Sequence, residues 1–373
     1  MTERFLSETL KKYSVKKKAI ILTGARQVGK TTLLKEIFSN QEKVVWLNAD
    51  EQPVRDRLKD LSVNALRGVV GDKKTLIIDE VQRVENAGLL LKLLVDNFEG
   101  LQIVATGSSS IDISNTIFEP LTGRQFLFHL YPFSLTEMYP NATPFELEQK
   151  LPFHLIYGSY PDVCNNKPDA EIILRNLTGQ YLYQDVLVWQ NIRKPAFLDS
   201  LLKLLAFQVG AQVSYHELGK NLKMKSETVE AYVDILEKAF VVFRLPAYST
   251  NPRKEISKST KIFFWDNGVR NAVVDDYRPL IQRNDAGLLW ENFAISERMK
   301  LHAHLNRSYR SYFWRNYNGS EVDYIEEKEG RISAFEMKWN PKPNQKVTRA
   351  FTNGYPEAET EVITPRNLEG FLR

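Results

Sequence analysis

The hydrophobic positions in the first third of the chain fall into short apolar runs. Five runs have the length of β-strands: "KKAIIL", "KVVWLNAD", "KTLIID", "LQIVATG" and "FLFHLYPF". The segments between them are predicted to be helical. Strands that alternate with helices are typical of a parallel, doubly wound α/β sheet, in which ligands bind at the carboxyl ends of the strands.

The first apolar run leads into a glycine-bracketed loop, "TGARQVGKTT". Gly24, Gly29 and Lys30, followed by Thr31, satisfy the pattern G-x-x-x-x-G-K-[ST]. Glycine is needed there because backbone N–H groups must turn inward and approach phosphate oxygens closely. We expect Lys30 to reach the β and γ phosphates of ATP, and the Thr31 hydroxyl to ligate Mg²⁺. The predicted nucleotide contacts are Gly24, Ala25, Arg26, Gln27, Val28, Gly29, Lys30, Thr31, Thr32 and Ser108.

An acidic pair follows the third apolar run. Asp79 ends "KTLIID" and is predicted to hold Mg²⁺, while Glu80 directly after it is predicted to polarise the attacking water. Such a pair separates a hydrolytic ATPase from a nucleotide kinase or a switch. Thr106 and Ser108 lie at the end of the next strand, where a polar side chain can sense the γ-phosphate.

Arg124 begins the fifth run, in "LTGRQFLF". It has two interpretations: an arginine finger that reaches the nucleotide site of a neighbouring subunit, or an exposed charge at a strand edge. The first requires a homo-oligomer. The predicted catalytic residues are Lys30, Asp79, Glu80 and Arg124.

Several of these stretches resemble a known superfamily when they are taken together. "GARQVGKTTLL", "IIDEVQ", "TGSSS" and "LTGRQFLFHLYPFSLTEM" resemble prokaryotic AAA+ ATPases, in particular the group whose ATPase core precedes a poorly characterised C-terminal domain. "YGSYPDV" and "GLLWENFAISE" belong to the same pattern, so the resemblance covers nearly the whole chain. It implies an ATP site shared between subunits and a helical lid, with a lid arginine, Arg175 or Arg193, at the nucleotide.

A helix, a tight turn, a second helix and the β-like "VVFRLPAY" follow the lid and predict a winged helix-turn-helix. Such modules place the second helix in the major groove of DNA. The possible DNA contacts are the basic residues of the turn and wing, Lys223, Lys225, Arg253, Lys254, Lys258 and Lys261. The acidic Glu227 and Glu230, at the start of the second helix, weaken the hypothesis that this helix contacts DNA bases. The alternative is a module that binds proteins.

The last hundred residues resemble a PD-(D/E)XK nuclease core. Glu291 lies on a predicted helix, Asp323 on a strand, and Glu336 and Lys338 two apart on the next strand, facing the same side. The resemblance implies carboxylates that bind Mg²⁺ and a lysine that activates water. The alternative is cross-strand acid–base pairing without a metal.

Composition sets limits on these interpretations. A net charge of +4 permits a nucleic-acid partner without requiring one, and the single cysteine, Cys164, rules out an internal disulfide. No apolar run approaches the length of a membrane span, and the N-terminus lacks a secretory h-region. We therefore expect a cytoplasmic protein without a membrane partner.

The predicted architecture is an α/β protein of four parts. These are a P-loop AAA+ core at 1–135, a helical lid at 136–195, a winged helix-turn-helix at 196–266 and a nuclease-like α/β domain at 267–373. The predicted function is ATP hydrolysis that drives binding or remodelling of DNA, recognised by its structure rather than its sequence. The alternatives are an ATP-gated nuclease and a signalling or assembly switch that binds proteins.

Overall fold

Five parallel strands form the sheet of the N-terminal part of the chain. They are β1 Ala19–Thr23, β2 Val44–Asn48, β3 Thr75–Asp79, β4 Gln102–Gly107 and β5 Gln125–His129. Every residue of β1, β3 and β4 is buried, which explains why these strands are continuous apolar runs rather than alternating ones. The predicted α/β fold with a parallel sheet is confirmed.

The computed structural model describes residues 2–39, 42–108, 120–182, 195–249 and 260–373. These residues belong to two compact units. The first is Met1–Tyr131 with Lys238–Phe240, and the second is Pro132–Glu237 with Val241–Arg373. The predicted lid, the C-terminal domain and the predicted winged helix, apart from Lys238–Phe240, fall within the second unit. Their separation into three domains stays a prediction.

The strand order of the sheet, β2-β3-β4-β1-β5, places β4 between β1 and β3. The carboxyl ends of these three strands therefore lie side by side. In register, Leu22 of β1 is opposite Thr106 of β4, and Ile78 of β3 is opposite Ala105. The chain crosses the sheet in both directions, and right-handed crossovers then require helices on both faces. The helices of this unit are α1 Leu6–Tyr13, α2 Lys30–Phe38, α3 Gln52–Leu58, α4 Val63–Val70 and α5 Ala87–Asn97.

Helices make up the first part of the second unit. They are α6 Leu135–Met138, α7 Pro144–Tyr157, α8 Pro161–Asn165, α9 Ala170–Asn176, α10 Pro195–Phe207, α11 Tyr215–Leu222 and α12 Ser226–Lys238. The strands β6 Gln212–Val213, β7 Val242–Pro246 and β8 Thr260–Phe264 form a three-stranded sheet of order β6-β8-β7. Lys223 adopts a left-handed conformation between α11 and α12, and this closes the tight turn that the sequence predicts.

A four-stranded sheet follows in the same unit. Its strands are β9 Arg310–Arg315, β10 Glu321–Lys328, β11 Arg331–Met337 and β12 Glu359–Ile363, in the order β12-β11-β10-β9. Only the β11–β12 pair is parallel among these pairs. The helices of this part are α13 Asn267–Val273, α14 Ala286–His304, α15 Arg349–Gly354 and α16 Leu368–Phe371. In the described ranges, no helix is long and apolar enough to cross a membrane.

The stretch "YGSYPDV" has a structural role within the second unit. Ser159 N donates to Asp266 Oδ2 at 2.7 Å, and Val269 N donates to Asp266 Oδ1 at 3.1 Å, so this buried carboxylate caps α13 and fixes the loop after α7. A Cβ at position 158 would lie 2.0 Å from Asp266 Oδ1, and Gly158 has φ +72°. Only glycine fits there, because a side chain would displace the carboxylate.

Candidate functional site

The glycine-rich loop forms a cradle between β1 and α2. A Cβ at Gly24 would lie 2.1 Å from the carbonyl oxygen of Leu130, so the loop can pack this closely on the neighbouring backbone only with glycine. Gly29 has φ +95° and immediately precedes α2, whose N-terminus points its N–H groups at the loop. Lys30 is buried, and its Nζ donates to the carbonyls of Gly24 at 2.8 Å and Ala25 at 2.9 Å.

The other predicted nucleotide contacts lie around this cradle. Arg26, Gln27 and Val28 complete the loop, and Gln27 has a left-handed φ of 61°. Thr32 belongs to the first turn of α2, and Ser108 follows β4. A phosphate placed here meets the positive end of the helix dipole and several backbone N–H groups.

Hydrogen bonds join the P-loop to the ends of β3 and β4. Thr31 Oγ1 donates to Asp79 Oδ2 at 2.8 Å, and Thr106 Oγ1 donates to Asp79 Oδ1. Glu80 N donates to Thr106 Oγ1 at 3.0 Å. A hydroxyl and a carboxylate side by side are the hard oxygen ligands that Mg²⁺ prefers, so these residues fit the ion that a P-loop implies.

The Glu80 carboxylate is positioned by a residue to which the sequence assigned no role. Gln82 Nε2 donates to Glu80 Oε2 at 2.6 Å and to Ser108 Oγ at 3.1 Å. Glu80 itself has φ 56°, a strained conformation for a residue with a side chain. Gln82 therefore fixes the orientation of the predicted catalytic carboxylate and ties it to the end of β4.

Arg4 is a second residue that the sequence did not single out. Its buried guanidinium donates from Nη1 to the carbonyl oxygen of Val28 at 3.0 Å and from Nη2 to that of Tyr131 at 2.7 Å. Two bonds from one rigid, charged fork connect the outer side of the P-loop to the chain after β5. No local pattern signals this role, because the partners are 24 and 127 residues away.

Arg124 lies at the opposite end of the sheet from the P-loop. The carbonyl oxygen of Arg124 accepts a hydrogen bond from Ala19 N, at the start of β1, whereas the P-loop follows the end of β1. The side chain of Arg124 lies on the surface, where its Nε donates to Asp96 Oδ1 at 2.7 Å. Arg124 is therefore separated from the P-loop of its own chain by the whole length of β1.

The two candidate lid arginines are placed differently. Arg175 forms an ion pair with Asp275 at 3.1 Å within the second unit. Arg193 lies outside the described residues.

Three of the four residues of the predicted nuclease constellation converge. Lys338 Nζ lies 2.7 Å from Glu336 Oε1 and 3.4 Å from Asp323 Oδ2, and Met337 N donates to Asp323 Oδ2 at 2.8 Å. Glu336 Oε2 is buried and has no hydrogen-bond partner among the described residues. The cross-strand acid–base pairing that the sequence left open is thus present.

The fourth residue, Glu291, lies beside an unexpected partner. Lys261 Nζ is 2.9 Å from Glu291 Oε1 and 2.5 Å from Glu321 Oε1, and its side chain is only 2% exposed. The sequence placed Lys261 among the possible DNA contacts, and the structure corrects this because a buried, doubly paired ammonium does not meet a DNA backbone. We call the set Lys261, Glu291, Glu321, Asp323, Glu336 and Lys338 the acid cluster.

Burial and nearby charges shift the pKa of Lys261, Glu291 and Glu336 in the acid cluster. Burial, with the nearby Asp323 carboxylate, raises the pKa of both Glu291 and Glu336 above their ordinary values, and the neighbouring lysines oppose the change. Burial lowers the pKa of Lys261, but the carboxylates around it raise that pKa by more, so the net shift is upward. Lys261 is therefore charged at neutral pH.

The metal that the nuclease resemblance implies does not fit the acid cluster as its side chains lie here. Across the described part of the chain, no three acidic, histidine or cysteine side chains are placed to hold an ion. The carboxylate oxygens of Glu291 and Glu321 instead face the ammonium group of Lys261.

The remaining predicted DNA contacts are partly visible. Lys223 and Lys225 are exposed in the turn between α11 and α12, and so is Glu227 at the start of α12. Arg253, Lys254 and Lys258 lie outside the described residues.

Comparison with family models divides the chain into three parts. Residues 16–139 match an AAA domain model. Residues 148–278 and 286–368 match two domains of unknown function, DUF8612 and DUF4143. The first match, the five-stranded parallel sheet and the P-loop geometry together support a P-loop AAA-like ATPase.

The chain is also similar to uncharacterized proteins of distant organisms. One from Mycobacterium tuberculosis is 27% identical over 333 residues, which cover 87% of this chain and 71% of the relative. One from Methanocaldococcus jannaschii is 27% identical over 316 residues, which cover 72% of this chain and 65% of the relative. Among solved structures, a Walker-type ATPase of Pyrococcus abyssi is 17% identical with a TM-score of 0.48, over 74% of this chain and 96% of that one.

Proposed function

We propose that the protein hydrolyses ATP with Mg²⁺ and uses the reaction to bind or remodel DNA. The observation that carries the first part is the connected set of bonds from Thr31 through Asp79 and Thr106 to the backbone of Glu80. This set brings a phosphate cradle, a carboxylate for the metal and a second carboxylate for water to one edge of the sheet. Bound Mg²⁺ would supply charge neutralisation at the phosphate oxygens.

Each residue of this site has a distinct task. Lys30 exchanges its two carbonyl partners for phosphate oxygens, and Thr31 and Asp79 hold the cation. Glu80, oriented by Gln82, accepts a proton from the attacking water. Most of the rate enhancement then comes from positioning and electrostatic stabilisation rather than covalent chemistry.

Two variants test these assignments. Lys30→Ala should lose measurable affinity for a fluorescent ATP analogue, because the cradle then lacks its only buried ammonium among the described loop residues. Glu80→Gln should bind ATP with unchanged affinity and hydrolyse it at least about a hundredfold more slowly. Rapid hydrolysis by Glu80→Gln would remove Glu80 from its proposed role.

The DNA partner is proposed from the order of elements after the lid. Helix α11, a three-residue turn, helix α12 and the hairpin strands β7 and β8 follow the order of a winged helix-turn-helix, with Lys223 and Lys225 exposed at the turn. We propose that this module contacts phosphates and recognises the shape of DNA rather than its bases, since Glu227 is exposed at the start of α12. The C-terminal domain would then act as a clamp without cleavage.

A salt titration tests the DNA contact. The variant Lys223→Ala/Lys225→Ala should weaken duplex binding and reduce the slope of log K against log salt by about 1.8, as expected for two phosphate contacts. Lys11→Ala/Lys12→Ala is the matched control, because it also removes two exposed lysines but on α1. An equal loss of affinity in both variants would indicate a general charge effect.

The ATPase rate distinguishes the proposal from its alternatives. We expect one DNA form, among single-stranded, duplex and branched DNA, to stimulate hydrolysis more than the others. No stimulation and no salt-dependent DNA binding would favour a switch that binds proteins. Metal-dependent strand cleavage by the wild type, abolished by Asp323→Ala, would favour the ATP-gated nuclease.

A further inference from the structure

The acid cluster contains an ammonium group on which two carboxyl groups converge. Lys261 Nζ is 2.9 Å from Glu291 Oε1 and 2.5 Å from Glu321 Oε1. Both separations are within the distance of a charge-assisted hydrogen bond, so the two carboxyl groups converge on one positive charge. Asp323 is near enough to raise the pKa of Lys261 as well.

The surroundings of Lys261 favour a permanent ammonium. The rings of Phe313 and Phe263 have their centroids 5.4 Å and 6.0 Å from its Nζ, within the range of cation–π attraction. A Cβ at Gly210 would lie 3.3 Å from the Glu291 carboxylate, so the backbone closes this side of the cluster. Lys261 is thus enclosed by carboxylates, aromatic rings and backbone, and only 2% of its side chain is exposed.

We infer that Lys261 is the resident cation of the acid cluster and takes the place that a divalent metal ion has in the nucleases that this domain resembles. The cluster then works as a metal-free joint. Lys261 lies on β8, Glu291 on α14 and Glu321 at the start of β10. One ammonium therefore connects the three-stranded sheet to helix α14 and to the four-stranded sheet. Because removing one partner of a buried ion pair leaves an uncompensated charge, this joint resists separation.

Removal of the Lys261 charge should create a site that binds a divalent cation. Lys261→Ala leaves Glu291, Glu321 and Asp323 around an emptied position, and a divalent cation can then neutralise them. We expect nucleotide-free Lys261→Ala to bind Mn²⁺ about a hundredfold more tightly than the wild type, because a unit positive charge a few ångströms away no longer repels the ion. Calorimetric titration with Mn²⁺ alone measures the affinity, and the melting temperature with and without Mn²⁺ measures the linked stability.

Two further variants keep the test decisive if Lys261→Ala folds poorly. Lys261→Met/Glu291→Gln removes the lysine and one carboxylate together, so it should fold and show no response to Mn²⁺. Lys300→Ala is the matched control: Lys300 is equally buried and lies 2.8 Å from Glu297 Oε1, the one carboxylate with which it forms an ion pair in the described residues. It should lose stability without gaining Mn²⁺ binding.

The Mn²⁺ response of these variants supports or overturns the inference. Mn²⁺ binding, or folding rescued by Mn²⁺, in Lys261→Ala but in neither of the other variants supports the inference. A Mn²⁺ response in the wild type that disappears in Glu336→Gln would overturn it, because the cluster would then hold a metal beside Lys261. Absence of any Mn²⁺ response in Lys261→Ala, folded or not, also overturns it. The inference stands or falls independently of ATP hydrolysis and of DNA binding.

Discussion

The position of Arg124 leads to a specific prediction about subunit cooperation. Arg124 precedes β5 beside the start of β1, and the P-loop follows the end of β1 five residues later. At about 3.3 Å per residue, the strand separates the two by about 16 Å. A guanidinium at that distance cannot stabilise phosphate charge in its own subunit. If Arg124 is an arginine finger, it must act on a neighbouring subunit.

The expected effect of Arg124→Ala follows from that geometry. Nucleotide affinity should be unchanged, while hydrolysis by the assembled protein should fall by about a thousandfold or more, the usual value of such a finger. The ion pair of Arg124 with Asp96 does not prevent this role. Both side chains are more than a third exposed, and surface pairs of that kind contribute about 0–1 kcal/mol.

Mixing two inactive variants provides the assay. Arg124→Ala subunits retain the P-loop, and Lys30→Ala subunits retain the finger. In a randomly mixed one-to-one assembly with head-to-tail interfaces, about one quarter of the sites pair an intact P-loop with an intact finger. ATPase activity should therefore recover to about a quarter of the wild-type value. Arg67→Ala, which changes an exposed arginine on α4, is the matched control and should behave as the wild type.

Two results would refute this reasoning. No recovery on mixing, with assembly verified by sedimentation, would exclude action across subunits. Full activity of Arg124→Ala would show that the residue is only a charge at a strand edge.

Three further predictions concern the nucleotide site. Arg4→Ala should weaken ATP binding by about tenfold, because two charge-assisted hydrogen bonds to backbone carbonyls are lost. Arg4→Lys should recover only part of this affinity, since an ammonium lacks the two-pronged geometry of a guanidinium. An ATP affinity of Arg4→Ala equal to that of the wild type would contradict this role of Arg4. Gly24→Ala should destabilise the first unit by about 1–3 kcal/mol in chemical unfolding, whereas Gly68→Ala, in a helix with open space around it, should stabilise it by about 0.5–1 kcal/mol. Gln82→Leu should lower kcat for ATP about tenfold, because it removes the hydrogen bonds that orient Glu80 and connect it to Ser108. A changed Kd with normal kcat would indicate a role in binding instead.

The sequence was sufficient for the parts of the nucleotide site that depend on local pattern. Gly24, Gly29 and Lys30 lie within seven residues, and their spacing alone defines the loop. The prediction that Asp79 and Thr106 lie at the nucleotide site also depends on the arrangement of the strands. Both residues end or lie near the end of apolar runs, and parallel strands bring their carboxyl ends together.

The residues that the sequence missed are those whose role depends on distant contacts. Arg4 has a partner 127 residues away, and Lys261 has a partner 30 residues away on a different element. A lysine next to a charged hairpin is ordinarily exposed, which is why Lys261 was assigned to DNA. Its burial follows from the packing of β8 against α14 and from the ion pair with Glu321 of β10, and no periodicity in the sequence encodes these contacts.

The two buried lysines of the candidate sites differ in what they can exchange. Lys30 donates to neutral carbonyls, and hydrogen bonds with one charged partner contribute about 1.5–3 kcal/mol each. Anionic phosphates attract the ammonium more strongly and can replace those partners. Lys261 lies between the carboxyl groups of Glu291 and Glu321 with only 2% of its side chain exposed, and removing one partner of a buried ion pair costs about 3–5 kcal/mol. The first arrangement suits a site that binds and releases a ligand. The second suits a permanent connection, and it explains why an acid constellation with the spacing of a nuclease is expected to remain free of metal.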